Sequence, residues 1–172
     1  MKNIDIVSCR LVKDRTINSN IQISTPEIAM NLIVNSFNDL DKECLFVINC
    51  DSKLKPNNIN IVSIGTVNRT IADPKDIFKT TILSNSNKIF IMHNHPSEIL
   101  SPSKEDITIY NRLTEIGNLL EIECIDSIIF NYSKEIYSMR ANKKILIDKI
   151  DDFSLFDKKQ NLDEEETNEE EL

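Results

Sequence analysis

The apolar run Lys88-Ile89-Phe90-Ile91-Met92 leads directly into His93-Asn94-His95-Pro96, and this junction constrains the chain more than any other segment. A short run of that character reads as a strand covered on both faces, which requires a sheet with packing on each side. Side chains at i and i+2 of a strand point the same way, so the two imidazoles converge on one point at the strand's end. They are the only two histidines among 172 residues. Ser103 and Asp106 follow, completing the pattern H-x-H-x7-S-x2-D.

A hydrolytic zinc site takes three protein ligands from His and Asp/Glu and keeps a fourth position for water. His93, His95 and Asp106 meet that count. The proline-flanked loop Pro96–Pro102 is long enough to bend back, and Asp106 would face the same point from the first turn of a helix. Ser103-Lys104-Glu105-Asp106 also fits S-x-x-[DE], a helix-capping box that needs no metal. The two readings are compatible, since Ser103 can end the loop while Asp106 turns toward a cation. The tripeptide is not the signature of an HNH nuclease, whose three letters are spread across a ββα-metal fold. The metal-deaminase pattern H-x-E with P-C-x-x-C is absent.

Along the chain, Ile4–Val12 alternates loosely and predicts a first strand, and Ile21–Ile23 a short extended piece. Ser24 or Thr25 then caps a helix with Pro26 at its first position and Ile28, Leu32, Ile33 and Phe37 on one face. Glu43–Asn49 predicts a buried central strand, Asp51–Lys53 a turn, and Ile59–Val67 a strand containing Gly65. A helix is expected from about Lys75 to Ser84, then Lys88–Met92, then a helix from Ser103 to about Ile116 that Gly117 ends in a left-handed cap. Leu119–Ile125, Asp126–Phe130 and Glu135–Arg140 supply further strand. Helices interspersed with apolar strands give an α/β domain over residues 1–150, with a mixed sheet covered on both faces.

The formal charge is −8, and eight acidic residues against two lysines put −6 of it between Asp157 and Leu172. Residues 1–156 therefore carry −2, and 151–172 reads as an acidic, disordered tail. No Lys/Arg cluster with interleaved aromatics gives direct nucleic-acid binding an electrostatic basis. Cys9, Cys44, Cys50 and Cys124 lack C-x-x-C spacing, which argues against a cysteine-ligated zinc ribbon or a redox pair. All apolar runs fall short of the ~18–20 residues that cross a bilayer, and no signal peptide is evident, so no membrane association and a cytoplasmic location are expected.

His93-Asn94-His95-Pro96-Ser97 with Ser101-Pro102-Ser103-Lys104-Glu105-Asp106-Ile107 resembles the JAMM (MPN-type, JAB domain) zinc metalloprotease motif, in its bacterial RadC-like branch. Ile64-Gly65-Thr66-Val67-Asn68 is similar to that branch's G-T-x-N strand, and Asp73-Pro74-Lys75-Asp76-Ile77-Phe78-Lys79 to its H-P-R-E-x-F-K segment. Gly117–Ile122 with Ile125-Asp126 resembles its G-x-L-L-G-I-x-x-x-D element. The resemblance covers about Ser24 to Arg140. It implies a three-layer αβα sandwich, cytidine-deaminase-like, and one zinc ion held by His93, His95 and Asp106. An upstream strand glutamate would be the general base; Glu43 fits best, because a helix N-terminal preference already explains Glu27. Ser103 would donate to the oxyanion.

Three departures from the branch stand out. Glu98 replaces the glycine of H-N-H-P-S-G, so the loop could take another path, or Glu98 could act as an extra ligand or obstruct substrate. Asp126-Ser127 stands where Asp-His is usual. Only about 23 residues precede the match, so the N-terminal helix-hairpin-helix region of RadC-like proteins is not expected here. The leading expectation is a zinc-dependent metallopeptidase or related amide hydrolase acting on a protein or peptide. The alternatives are a metal-binding module without turnover, serving protein interaction, and a DNA-repair or mobile-element accessory.

Overall fold

Every residue of Cys44–Cys50 is buried, and such a segment belongs in the middle of a sheet with cover on both faces. It forms strand β1 in a computed structural model that describes residues 3–37, 41–65 and 73–142. The other strands are β2 (Pro56–Ile64), β3 (Lys88–Asn94), β4 (Glu123–Phe130) and β5 (Ile136–Ser138), in the spatial order β2-β1-β3-β4-β5. β1 is antiparallel to both β2 and β3, β3 runs parallel to β4, and β5 returns antiparallel. The sheet is therefore mixed. A parallel pair needs a crossover, and helix α3 (Lys104–Leu119) supplies it between β3 and β4.

Alternation along the strands divides the core in two. Phe46, Ile48, Phe90, Met92, Ile128 and Phe130 face helix α1 (Pro26–Val34), which buries Ala29, Met30, Leu32 and Ile33 against them. Leu45, Val47, Ile89, Ile91 and Ile129 face the opposite way. They meet Ile77 and Phe78 of helix α2 (Pro74–Leu83) together with Tyr110 and Leu113 of α3. Each such side chain taken from water contributes about 1.5–3 kcal/mol. The layers are helix, sheet, helix pair, as an αβα sandwich requires.

The helices start where local chemistry dictates. Thr25 caps α1, its hydroxyl accepting from the Ile28 N–H with Pro26 next, and Asp73 caps α2 by accepting from the Lys75 N–H. The end of α3 differs from expectation. Gly117 lies inside the helix, and Glu121 takes the left-handed conformation instead (φ 57°). The Ile122 N–H reaches the Gly117 carbonyl at 2.8 Å and the Glu121 N–H the Asn118 carbonyl at 3.2 Å, the two bonds of a Schellman motif. Gly117 is needed for a different reason: a Cβ there would lie 2.5 Å from the Ile122 carbonyl oxygen and 3.0 Å from Cys124 Sγ.

Other expectations shift. Residues 3–22 hold no regular element, and Ile4, Ile6, Val7 and Val12 stand in solvent, because no strand among the described residues pairs with Ile4–Val12. Ile23 is tied in, its N–H donating to the Leu54 carbonyl at 2.9 Å, and the Arg15 guanidinium lies over the Phe37 ring, 4.2 Å from its centroid. The two strands expected across Leu119–Phe130 are one, β4, and the last strand is the short β5. Thr66–Asn68 and the acidic stretch 151–172 lie outside the described residues. Among the described residues no helix is long and apolar enough to cross a membrane.

Candidate metal centre

His93 is the last β3 residue paired with β1, opposite Leu45. The ladder with β4 runs one residue further, because the His95 N–H donates to the Phe130 carbonyl at 2.8 Å. His95 thus keeps the strand direction although β3 ends at Asn94, and the i, i+2 rule brings the two rings to one side. Their Nε2 atoms lie 2.9 Å apart.

Beyond Pro96 the chain turns back sharply. The Glu98 N–H donates to the His95 carbonyl at 3.1 Å, and Glu98 itself adopts φ 63°. The position where the family pattern has glycine therefore keeps a backbone conformation that glycine adopts at no steric cost. The turn delivers the Ile99 carbonyl to His95 Nδ1 at 2.5 Å. With Nδ1–H donated there, His95 presents the lone pair of Nε2 to the site. The Glu98 side chain lies elsewhere: its Oε1 accepts from the Tyr132 N–H at 3.3 Å.

Glu43 precedes β1 on the same face as Leu45. Continuing the β1/β3 register past Leu45 and His93 puts Glu43 opposite His95, and its Oε1 stands 4.0 Å from His95 Nε2. The ligand atoms of Glu43, His93 and His95 all lie within 4.8 Å of one another. Its backbone is held on one side by the Gly65 N–H, which donates to the Glu43 carbonyl at 2.9 Å. On the other side the Asn94 carboxamide bonds the two residues that flank it.

Asp106 stands apart from that trio, its Oδ1 3.7 Å from His93 Nε2. Its other oxygen serves the helix. Oδ2 accepts from the Ser103 N–H at 2.8 Å and from the Ser103 hydroxyl at 2.6 Å, while the Asp106 N–H donates to Ser103 Oγ at 3.1 Å. The capping box and the approach to the histidines are both present, divided between the two oxygens of one carboxylate.

Burial pushes the His93 imidazole down to about 4, with Asp106 opposing the shift and His95 adding to it. His93 is neutral at physiological pH on that account. Ring nitrogens 2.9 Å apart need a proton or a cation between them, since facing lone pairs repel. Two imidazole nitrogens with two carboxylate oxygens nearby form a donor set that suits zinc. A cleft of about 190 Å³ opens beside His95, lined also by Val34, Phe37, Asn94, Phe130, Asn131 and Tyr132.

Reasoning from sequence passed over Asn94, Gly65 as the Glu43 anchor, and the Ile99 carbonyl. A carboxamide between two ligand-type histidines was the one visible signal. Ser127 is buried in β4 beside Ile91, on the face that carries His93 and one pair deeper in the sheet.

The family model for the RadC-like JAB domain matches residues 23–145. A UPF0758 protein of Clostridium beijerinckii is 38% identical over 120 residues, covering 70% of this chain and 52% of that protein. One from Clostridium tetani is 39% identical over 127 residues, 74% of this chain and 55% of the relative. One from Caldanaerobacter subterraneus subsp. tengcongensis is 36% identical over 110 residues, 64% and 47% respectively. The chain spans about half the length of these relatives. With the strand-end histidines, the layered mixed sheet and a family match over most of its residues, the chain belongs to the RadC-like JAB domain family.

Proposed function

We propose that this chain is a zinc-dependent hydrolase that cleaves an amide bond, peptide or isopeptide, in a protein or peptide substrate. The observation that carries the reading is the convergence of Glu43, His93 and His95, whose ligand atoms lie within 4.8 Å of one another, with Asp106 Oδ1 3.7 Å from His93 Nε2. Zinc held by His93, His95 and Asp106 would supply Lewis acidity and lower the pKa of water toward ~7.

The chain's own groups divide the remaining work. His95 is oriented by its Nδ1 bond to Ile99, and His93 by burial in β3. Glu43 takes a proton from the attacking water and returns it to the leaving amine; 4.0 Å to His95 Nε2 leaves that carboxylate beside the ligands. Ser103 turns its hydroxyl from Asp106 Oδ2 to the developing oxyanion, and its backbone N–H keeps Asp106 in place meanwhile. Removing one such donor costs about 2.7–4 kcal/mol in other hydrolases.

The test is metal analysis of the purified protein, then a peptide-library cleavage assay on wild type beside His95→Ala. Zinc with cleavage in the wild type, and loss of both in the variant, is the expected result. Zinc without cleavage would make the chain a metal-binding module, a reading favoured by the commitment of the Ser103 hydroxyl to Asp106. Absence of zinc would end both. Zinc lost in Glu43→Ala would make Glu43 a ligand, because a base is dispensable for metal affinity.

A further inference from the structure

Register alone does not fix Glu43. Pairing between β1 and β3 stops at Leu45 and His93, so the backbone ladder between these strands ends before it reaches the glutamate. The next position on β3 is Asn94, and its side chain continues the ladder. Asn94 Oδ1 accepts from the Cys44 N–H at 2.7 Å, and Nδ2 donates to the Lys42 carbonyl at 2.9 Å. A carboxamide offers one acceptor and two donors on a single planar group, so it can hold the backbone on both sides of Glu43 at once. Aspartate has no donor for the Lys42 carbonyl when ionised, and alanine or leucine has neither group. Asn94 is 3% exposed, so these bonds form away from competing water.

We propose that Asn94 is a positioning residue for Glu43, setting where its carboxylate meets the histidine pair; this rests on the role given to Glu43 above. Strand alternation sends the Asn94 side chain to the face opposite His93, toward the layer of α1, and Asn94 also lines the cleft beside His95. Its hold on Glu43 runs through the backbone of residues 42–44. The Gly65 N–H on the Glu43 carbonyl completes the hold from β2. A misplacement of about 1 Å can cost on the order of a hundredfold in rate.

A double-substitution cycle on the full chain tests this. Zinc affinity is read by competition with a chromogenic chelator, and hydrolysis by the kcat and KM of the best-cleaved library peptide. Glu43→Gln should lower one of these readouts. Asn94→Ala should lower that same readout about ten- to hundredfold, through kcat with KM held if it is hydrolysis. The double variant should be no worse than Glu43→Gln alone, since residues acting as one unit do not add. A purely structural role for Asn94 would add its loss to that of Glu43→Gln, and that outcome overturns the proposal. Loss in Glu43→Gln with none in Asn94→Ala overturns it while sparing the reading of Glu43. No effect of Glu43→Gln on either readout removes that reading and this one together. Asn94→Asp keeps an acceptor for the Cys44 N–H without a donor for the Lys42 carbonyl and should give an intermediate loss, which keeps the test open if Asn94→Ala does not fold.

Discussion

His93 makes the domain acid-sensitive in a way that can be isolated. Its imidazole is pushed down to about 4 in the folded chain from an ordinary value of 6.5, chiefly by burial. Above about pH 6.5 neither folded nor unfolded chain carries that proton, and His93 contributes nothing to pH dependence. Between 6.5 and about 4 the unfolded chain takes up a proton that the folded chain refuses, so stability falls as pH falls. Below about 4 both states are protonated and the loss levels off at about 3 kcal/mol, a large part of the ~5–15 kcal/mol that holds a domain together. By about pH 4.5 most of it should be expressed. With a urea slope near 2 kcal/mol per M, the unfolding midpoint of chelator-treated protein should drop by about 1 M between pH 7.5 and 4.5 on this account. His93→Gln removes the titration while keeping a neutral polar side chain, and should lack that part of the drop. Asp126, raised by burial, and Glu27 and Asp73, lowered by hydrogen bonds, titrate in both proteins and cancel in the difference. Equal midpoint shifts in the two proteins would refute the reasoning.

Other perturbations address the loop, the cap and the helix end. Glu98→Gly should leave zinc affinity near wild type because the φ 63° turn suits glycine. Glu98→Pro cannot adopt that turn, and by losing the Ile99 carbonyl from His95 Nδ1 should weaken zinc about ten- to hundredfold in a chelator competition. Ser103→Ala should lower thermal stability by about 1 kcal/mol through the lost cap, and cut hydrolysis about 10²- to 10³-fold while zinc stays bound. Gly117→Ala should lower the melting temperature, overpacking of about 1–3 kcal/mol outweighing a helix-propensity gain of about 1. Glu121→Gly should raise it, since the left-handed residue is there. Opposite signs would restore Gly117 as the cap.

The strands around the site were legible because they are nearly all apolar. Glu43–Asn49 and Lys88–Met92 differ from β1 and β3 only at their ends. The i, i+2 rule brought His93 and His95 together, and S-x-x-[DE] gave the start of α3. What stayed hidden depends on partners distant in sequence. Ile4–Val12 alternates like a strand yet finds no partner strand among the described residues, and alternation alone cannot supply one. Gly117 looked like a stop signal because a tight contact with the Ile122 carbonyl leaves no local trace. The hold of Asn94 on Lys42 and Cys44 spans 52 and 50 residues, beyond any windowed pattern.

Asp106 serves two masters with its two oxygens, one sealing the first turn of α3 and the other turned to His93. Occupancy of the centre and fraying of that turn are therefore thermodynamically linked: whatever draws on one oxygen alters the hold of the other. Backbone amide exchange at residues 104–106 becomes a reporter of site loading, readable without substrate or turnover. A swap that recruits Oδ2 as well would loosen the helix start, so the same carboxylate limits how tightly an ion can be gripped before the crossover begins to unwind.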